Sequence, residues 1–306
     1  MSESDFPDSG NTAVHDFSSV REQLSSGKSV ADRHLLVRMS GSSVGQVIVL
    51  DEPRRIGRAP DSDVWIHDDD VSRRHARIER DGEGCVVVDL GSVNGTFVNG
   101  EKVERKLLQD GDLVQLGPVA VFRYNVTDRD QEQMMCSLYE ATVRDALTGA
   151  FNREHLDERL RAEVSFARRH NTEVGLVMLD LDRFKAINDT HGHPTGDDVL
   201  VATVQSVKGG IRLEDMLARY GGEEFALVLR DTPLPGAARV AERLRAIVAS
   251  LTIVARHGGV VRPTASFGCA SLACCAERSA EALVAVADRR LLEAKRRGRN
   301  CIVAEA

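Results

Sequence analysis

From residue 34 to residue 125 the apolar positions come in short runs: 35–37, 47–50, 64–66, 76–78, 85–88, 96–98, 113–116 and 119–122. Turn dipeptides such as Asp81-Gly82, Asn94-Gly95, Asn99-Gly100 and Asp110-Gly111 separate them. Short, regularly spaced strands with no helical stretch predict a β-sandwich. Residues 126–147 then turn polar and helix-compatible, and Met134, Met135, Leu138 and Ala141 fall on one stripe. That pattern predicts a linker helix with a short dimer seam. From 148 to 306 helical and strand patterns alternate, which predicts a mixed α/β domain. The first 33 residues are rich in Ser, Asp, Glu and Gly, and predict a disordered tail.

Within the second domain one apolar run, 174–179, delivers Asp180 at its end, as a buried strand does. Another breaks at Gly221-Gly222 and resumes as Phe225-Ala-Leu-Val-Leu229, which reads as a β-hairpin with a diglycine turn. Glu223 and Glu224 sit just past that turn. If the two strands are neighbours, three or four carboxylates converge. Such a cluster repels itself unless a cation joins it, and hard oxygen ligands suit magnesium.

Composition narrows the partners. The 306 residues suffice for two domains, and the net charge of −7 argues against coating a nucleic-acid polymer. An anionic nucleotide must then be met by local positive charge. Six cysteines show no metal-type spacing and read as core residues of a reducing compartment. No apolar run approaches the ~20 residues of a membrane span, so the expectation is a cytoplasmic protein with no membrane partner.

The signature Arg219-Tyr-Gly-Gly-Glu-Glu-Phe225 and the upstream Asp180-Leu-Asp-Arg-Phe-Lys-Ala-Ile-Asn-Asp189 resemble the GGDEF family of diguanylate cyclases. So do Asp145-Ala-Leu-Thr-Gly-Ala-Phe-Asn-Arg153, Gly192-His193 through Gly196-Asp197, and Ala294-Lys-Arg-Arg-Gly-Arg-Asn300. The resemblance implies a palm-like antiparallel sheet with helices, an α+β domain. It also implies condensation of two GTP into cyclic di-GMP, with a homodimer bringing two domains face to face. Asp180, the main-chain carbonyl of Leu181, Glu223 and Glu224 match the metal ligands, for Mg2+ or Mn2+, two per active site. Asp180, Glu223 and Glu224 are the catalytic set, and the resemblance does not choose which glutamate helps remove the hydroxyl proton. Asp182 and Asp189 read instead as capping or solvated acids.

Substrate contacts follow from the same resemblance. Asp197 stands at the guanine-reading position, where a carboxylate accepts from N1–H and the exocyclic amine that adenine lacks. Asn188 contacts the same base, and His193 belongs to this group. Lys185, Lys295 and Arg299 match the triphosphate cations. Arg212-Leu-Glu-Asp215 precedes Gly221 at the family's spacing, which implies an inhibitory product site of Arg212 and Asp215, with Arg243 as a secondary arginine. Ala150 stands where the family usually has leucine, a change expected to loosen packing at the linker. The alternative function is a catalytically silent scaffold that only binds cyclic di-GMP.

In the first domain Ile56-Gly-Arg58, Ser72-Arg-Arg-His-Ala76 and Gly91-Ser-Val-Asn-Gly-Thr-Phe-Val-Asn-Gly100 resemble the forkhead-associated (FHA) domain, an all-β sandwich that reads phosphothreonine. Arg58, Ser72 and Arg73 supply a guanidinium pair and a hydroxyl to phosphate, and Asn94 holds the peptide backbone. His75 reads as an internal brace. The phosphothreonine comes from another protein or from the chain's own tail, where Thr12 is the only threonine.

Overall fold

The computed structural model describes residues 32–305, apart from positions 41, 42, 60, 67 and 213. Among them eleven strands come first: β1 (Arg33–Arg38), β2 (Val47–Val49), β3 (Arg54–Gly57), β4 (Val64–Trp65), β5 (Ala76–Asp81), β6 (Gly84–Asp89), β7 (Thr96–Val98), β8 (Glu101–Val103), β9 (Arg105–Leu107), β10 (Leu113–Leu116) and β11 (Ala120–Thr127). They build two sheets, β2-β1-β11-β10-β7-β8 and β4-β3-β5-β6-β9. Leu36, Val98, Val114 and Phe122 from one sheet meet Ile56, Ile78 and Val87 from the other in a single core. This is the expected sandwich.

Three strands escape the apolar pattern, because β3 opens on Arg54-Arg55 and β8 and β9 are charged at most positions. Strands β8 and β9 lie at sheet edges, where solvent takes one side. The inner β3 holds Ile56 fully buried, and its Gly57 leaves no room for a side chain. A Cβ there would lie 2.3 Å from the Arg73 carbonyl oxygen. That close approach presses Arg58 against the Ser72–Arg73 backbone.

The second half continues with α1 (Arg129–Val143), α2 (Arg153–His170), β12 (Val174–Leu181), α3 (Phe184–His191), α4 (His193–Lys208), β13 (Met216–Gly221) and β14 (Glu224–Arg230). It closes with α5 (Leu234–Ser250), β15 (Ile253–Val254), β16 (Val260–Val261), β17 (Ala265–Ser271), α6 (Ala280–Arg296) and β18 (Ile302–Val303). The central sheet runs β13-β14-β12-β17-β18 and is antiparallel except for the β17–β18 pair. Every residue of β12 is buried, which explains its unbroken apolar text. Its side chains alternate between faces. Val177 and Leu179 pack with Val199, Val204 and Leu244 of α4 and α5. Leu176 and Met178 pack with Leu160, Val164 and Leu283 of α2 and α6.

Helix α1 is capped by Asp128, whose side chain accepts from the Gln131 amide, and it buries no residue. Met134 and Leu138 are 63% and 58% exposed, so the stripe read from the sequence is open in one chain. Ala150 is wholly buried in the core of the second domain. All six cysteines are unpaired. No helix among the described residues is long and apolar enough to cross a membrane.

Candidate functional site

The hairpin β13–β14 forms beside β12, and the antiparallel register sets Asp180 directly opposite Glu224. The Leu181 amide donates to the Glu223 carbonyl at 3.3 Å, so the turn is fastened to the end of β12. Glu223 belongs to the turn itself, between the two strands. Gly221 and Gly222 do not take the left-handed φ that a diglycine hairpin turn leads one to expect. A β-bulge between Arg219 and Gly221 absorbs the tight reversal instead. A Cβ on Gly222 would meet nothing within 4 Å, so the space before the turn is open.

The backbone thus meets the condition for carboxylate convergence, but the side chains arrange differently. Among the described residues no three acidic, cysteine or histidine side chains form a ready-made metal cage. Asp180 instead pairs with Lys295, Nζ to Oδ2 at 2.7 Å. Helix α6 brings Lys295 there because it presses onto Gly268 of β17, where a Cβ would lie 2.1 Å from the Ala287 carbonyl oxygen. Burial raises the Asp180 carboxyl above its usual range; Lys295 opposes this, while the charges of Glu224 and Asp182 add to it. Negative charge in excess of one lysine, carried on hard oxygens, fits a divalent cation held by Asp180, Glu223 and Glu224.

Asp182 is a correction. It is neither a cap nor solvated, being 7% exposed. Its carboxylate accepts from Thr264 Oγ1 at 2.7 Å, Ser266 Oγ at 2.6 Å and the Asn300 amide at 3.0 Å. It ties the segment carrying Arg299 to the end of β12, with Arg299 and Asn300 at positive φ. Asp189 is exposed, as expected.

The α3–α4 pair builds the other side of the site. Asn188 lies directly over Gly196, where a Cβ would sit 1.9 Å from Asn188 Oδ1. That oxygen is buried and has no hydrogen-bond partner among the described residues. Asp197, Lys185, His193 and Arg299 are exposed, and none makes a side-chain hydrogen bond or ion pair among the described residues. Beside Asp182 opens a cleft of about 420 Å³ whose walls include Arg183, His191, Arg262 and Arg299. Its positive lining suits an anion.

At the other end of α4 the Arg212–Asp215 turn closes on itself. The Arg212 amide donates to Asp215 Oδ2 at 2.9 Å, leaving the buried Oδ1 without a partner among the described residues. Burial raises the Asp215 carboxyl above its ordinary range, a rise the Arg212 amide opposes. The Arg212 guanidinium is exposed, and Arg243 reaches the same corner by donating to the Gly210 carbonyl at 2.6 Å. The structure therefore brings all three residues together.

In the sandwich, the Arg58 amide donates to the Ser72 carbonyl and the Ala59 amide to that of Arg73. Ser72 Oγ accepts from the Val93 amide at 3.0 Å, and Asn94 Nδ2 donates to the Asp70 carbonyl at 2.8 Å. Arg58, Ser72 and Asn94 thus share one end of the sandwich, with Arg73 exposed beside them. His75 is the internal brace: fully buried, it accepts from the Ser72 amide on Nδ1 and meets the Gly95 carbonyl on Nε2. Burial lowers its pKa, with the Gly95 bond opposing.

Two motif residues, Arg219 and Asp145, form a lock that the sequence does not announce. Arg219 Nη1 donates to both Asp145 oxygens at 3.0 and 3.1 Å, while its Nε and Nη2 donate to the Gly222 carbonyl at 2.9 and 2.8 Å. Burial alone would raise the Asp145 carboxyl, but bonds from Thr148 and Arg219 outweigh it and hold it below the usual range. The signature turn is thereby locked to the end of the linker. Two charges 74 positions apart give no local signal of such a pair.

A family profile for the diguanylate cyclase GGDEF domain matches residues 142–301, and one for the FHA domain matches residues 54–117. The chain belongs to the GGDEF diguanylate cyclase family and carries an FHA domain ahead of that region. The response regulator PleD of Caulobacter vibrioides is 38% identical over 168 residues, 55% of this chain and 37% of PleD. The chain thus spans well under half the length of that relative. Among solved structures, diguanylate cyclase SiaD of Pseudomonas aeruginosa, in complex with its activator SiaC, is similar at 40% identity and a TM-score of 0.51, covering 57% of this chain and 67% of that one. The GGDEF domain of DgcB from Caulobacter crescentus, in complex with c-di-GMP, matches at 32% identity and 0.51, over 54% and 94%.

Proposed function

We propose that this chain is a diguanylate cyclase that joins two GTP into cyclic di-GMP with release of two pyrophosphates. One observation carries the reading. A single β12–α3–α4 segment presents Asp180 opposite Glu224 at one end and an unpartnered Asn188 acceptor over Gly196 at the other. Guanine's exocyclic amine supplies the donor that Asn188 lacks, and Asp197 stands beside it to accept from the same edge. Lys185, Lys295 and Arg299 hold the triphosphate. The 3′-oxygen of one nucleotide bonds to the α-phosphorus of the other as the bond to the bridging oxygen breaks. Its proton passes to a carboxylate of the Asp180, Glu223 and Glu224 set. Bound magnesium or manganese, two ions per site, would activate that hydroxyl and neutralise charge on the leaving pyrophosphate.

Each domain supplies half of the product, so two chains must face each other, and the open Met134 and Leu138 stripe of α1 supports a seam between copies. We further assign residues 34–125 to phosphothreonine reading, 126–147 to the linker and 148–306 to catalysis. Product binds at Arg212, Asp215 and Arg243 and inhibits. The phosphothreonine is another protein's or the chain's own Thr12, which lies outside the described residues. Incubating the full chain with magnesium and GTP, and resolving products by chromatography, tests the activity. Cyclic di-GMP is expected. Intact GTP throughout would favour a scaffold that only binds the dinucleotide.

A further inference from the structure

The phosphate-reading end of the sandwich rests on the cyclase domain. The Trp65 indole donates Nε1 to the Arg58 carbonyl at 3.1 Å. Its ring lies 3.8 Å from the Arg230 guanidinium carbon and 4.7 Å from that of Arg159, with Phe166 edge-on at 5.6 Å. Arg230 and Arg159 are fixed in turn by Glu163, whose side chain is only 3% exposed, at 2.7 and 2.9 Å. The Arg58 side chain makes a second link. Its Nη1 stands 3.5 Å from Asp69 Oδ1, and the same oxygen is ion-paired with Arg169 of α2. Two guanidinium groups, one from each domain, therefore converge on one carboxylate oxygen. Asp69 is 65% exposed, so it can swing into solvent without leaving a buried charge.

We propose that Arg169 belongs to the phosphothreonine site, and that Asp69 is the chain's internal substitute for the phosphate. The inference rests on the phosphothreonine reading of the FHA domain given above. A carboxylate brings one negative charge to two arginines. A phosphothreonine brings ≈ −1.5 to −2 at neutral pH and three acceptor oxygens, enough to satisfy Arg58 and Arg169 together. Arg–phosphate pairs are also stronger and more often bidentate than single carboxylate contacts. Phosphate displaces Asp69, and the ligand then spans both domains instead of the sandwich alone. Binding of a phosphorylated segment is thereby read directly at helix α2, which packs under the catalytic sheet.

The test measures binding of a fluorescent, degenerate phosphothreonine peptide mixture to the full chain by anisotropy, with the unphosphorylated mixture as control. Asp69→Asn removes the competitor's charge and should tighten phosphate-dependent binding about three- to tenfold. Arg169→Gln removes one charge-assisted contact and should weaken it about tenfold. Binding by Asp69→Asn where the unaltered chain binds nothing would support the proposal most strongly. Phosphate-dependent binding indifferent to both substitutions, or weakened by Asp69→Asn, would overturn the shared site and leave the FHA reading intact. No phosphate-dependent binding by any of the three proteins would overturn the FHA reading and the shared site with it.

Discussion

In the sandwich, Arg58 donates Nε to the Val71 carbonyl and pairs with Asp69, Ser72 accepts from Val93, and Asn94 donates to Asp70. In the cyclase domain, Lys185, Asp197 and Arg299 make no such side-chain contact among the described residues, and Asn188 Oδ1 is buried without a partner. Among the described residues Lys295, unlike Lys185 and Arg299, is paired, with Asp180. The difference separates two ways of preparing a site. A self-satisfied loop must exchange internal bonds for ligand bonds, so its net affinity is modest and its geometry is well held. A site with unmet donors and acceptors holds its polar groups in place at a cost to the fold, and a ligand that supplies the missing partners recovers that cost on binding.

The largest effect expected from this contrast lies at Asp180 and Glu224. Asp180→Asn or Glu224→Gln removes charge from the proposed nucleotide and cation site, and should cut cyclic di-GMP synthesis at least about a hundredfold. Circular dichroism and thermal melting should show the fold retained. Turnover within a few-fold of the unaltered chain would end the assignment of these carboxylates.

Next comes the proposed base-reading end. Gly196→Ala drives a methyl into Asn188 and should raise KM for GTP about tenfold, as Asn188→Ala should alone, by loss of one buried polar contact. The sharper measurement is the double variant. Once Asn188 is alanine the clash is gone, so adding Gly196→Ala should cost almost nothing further. Additive losses in the double variant would mean that Gly196 serves something other than room for Asn188.

Much of this was legible because the chemistry follows chain order. The buried run 174–179 ending at Asp180 and the broken run around Gly221-Gly222 placed the central strands. The turn dipeptides placed most of the sandwich. What stayed hidden depends on distant partners. Strand β3 reads as polar because it opens on Arg54-Arg55, and its Gly57 is set by close approach to Arg73, a partner 16 positions away. Asp182 reads as a surface acid because its three donors come from residues 264, 266 and 300. The Arg219–Asp145 lock and the Arg58–Asp69–Arg169 chain join residues whose spacing carries no period.

The Arg212 turn tests the comparison at a smaller scale, because Asp215 Oδ1 is another buried, unmet acceptor. Arg212→Ala should shift the inhibition curve for added cyclic di-GMP about ten- to a hundredfold, the worth of one charge-assisted contact of ~1.5–3 kcal/mol. A curve that does not move would make this a charged turn and nothing more.

The smallest expected effect is on pH, and it sets His75 and Asp215 against each other by sign. His75 accepts a bond on Nδ1 and is fully buried, so burial holds its pKa below 6.5. His34 is depressed in the same direction by burial and then by Arg80. The unfolded chain takes up these protons near pH 6.5 while the sandwich refuses them. Its stability is therefore full above pH 6.5 and falls as pH drops toward the depressed folded values. The loss is about 1.4 kcal/mol per histidine for each pH unit of that window. Asp215 acts oppositely in the cyclase domain, since burial raises its pKa and the fold takes up its proton before the unfolded chain does. The single tryptophan, Trp65, lies on β4 with its ring against Arg230 and Arg159 of the second domain, so its fluorescence reports unfolding of the sandwich together with loss of that contact. Urea midpoints read at Trp65 should fall between pH 7.5 and 5.5, and His75→Gln should flatten that slope. A midpoint constant across this range in the unaltered chain would show that His75 is not held neutral by the fold.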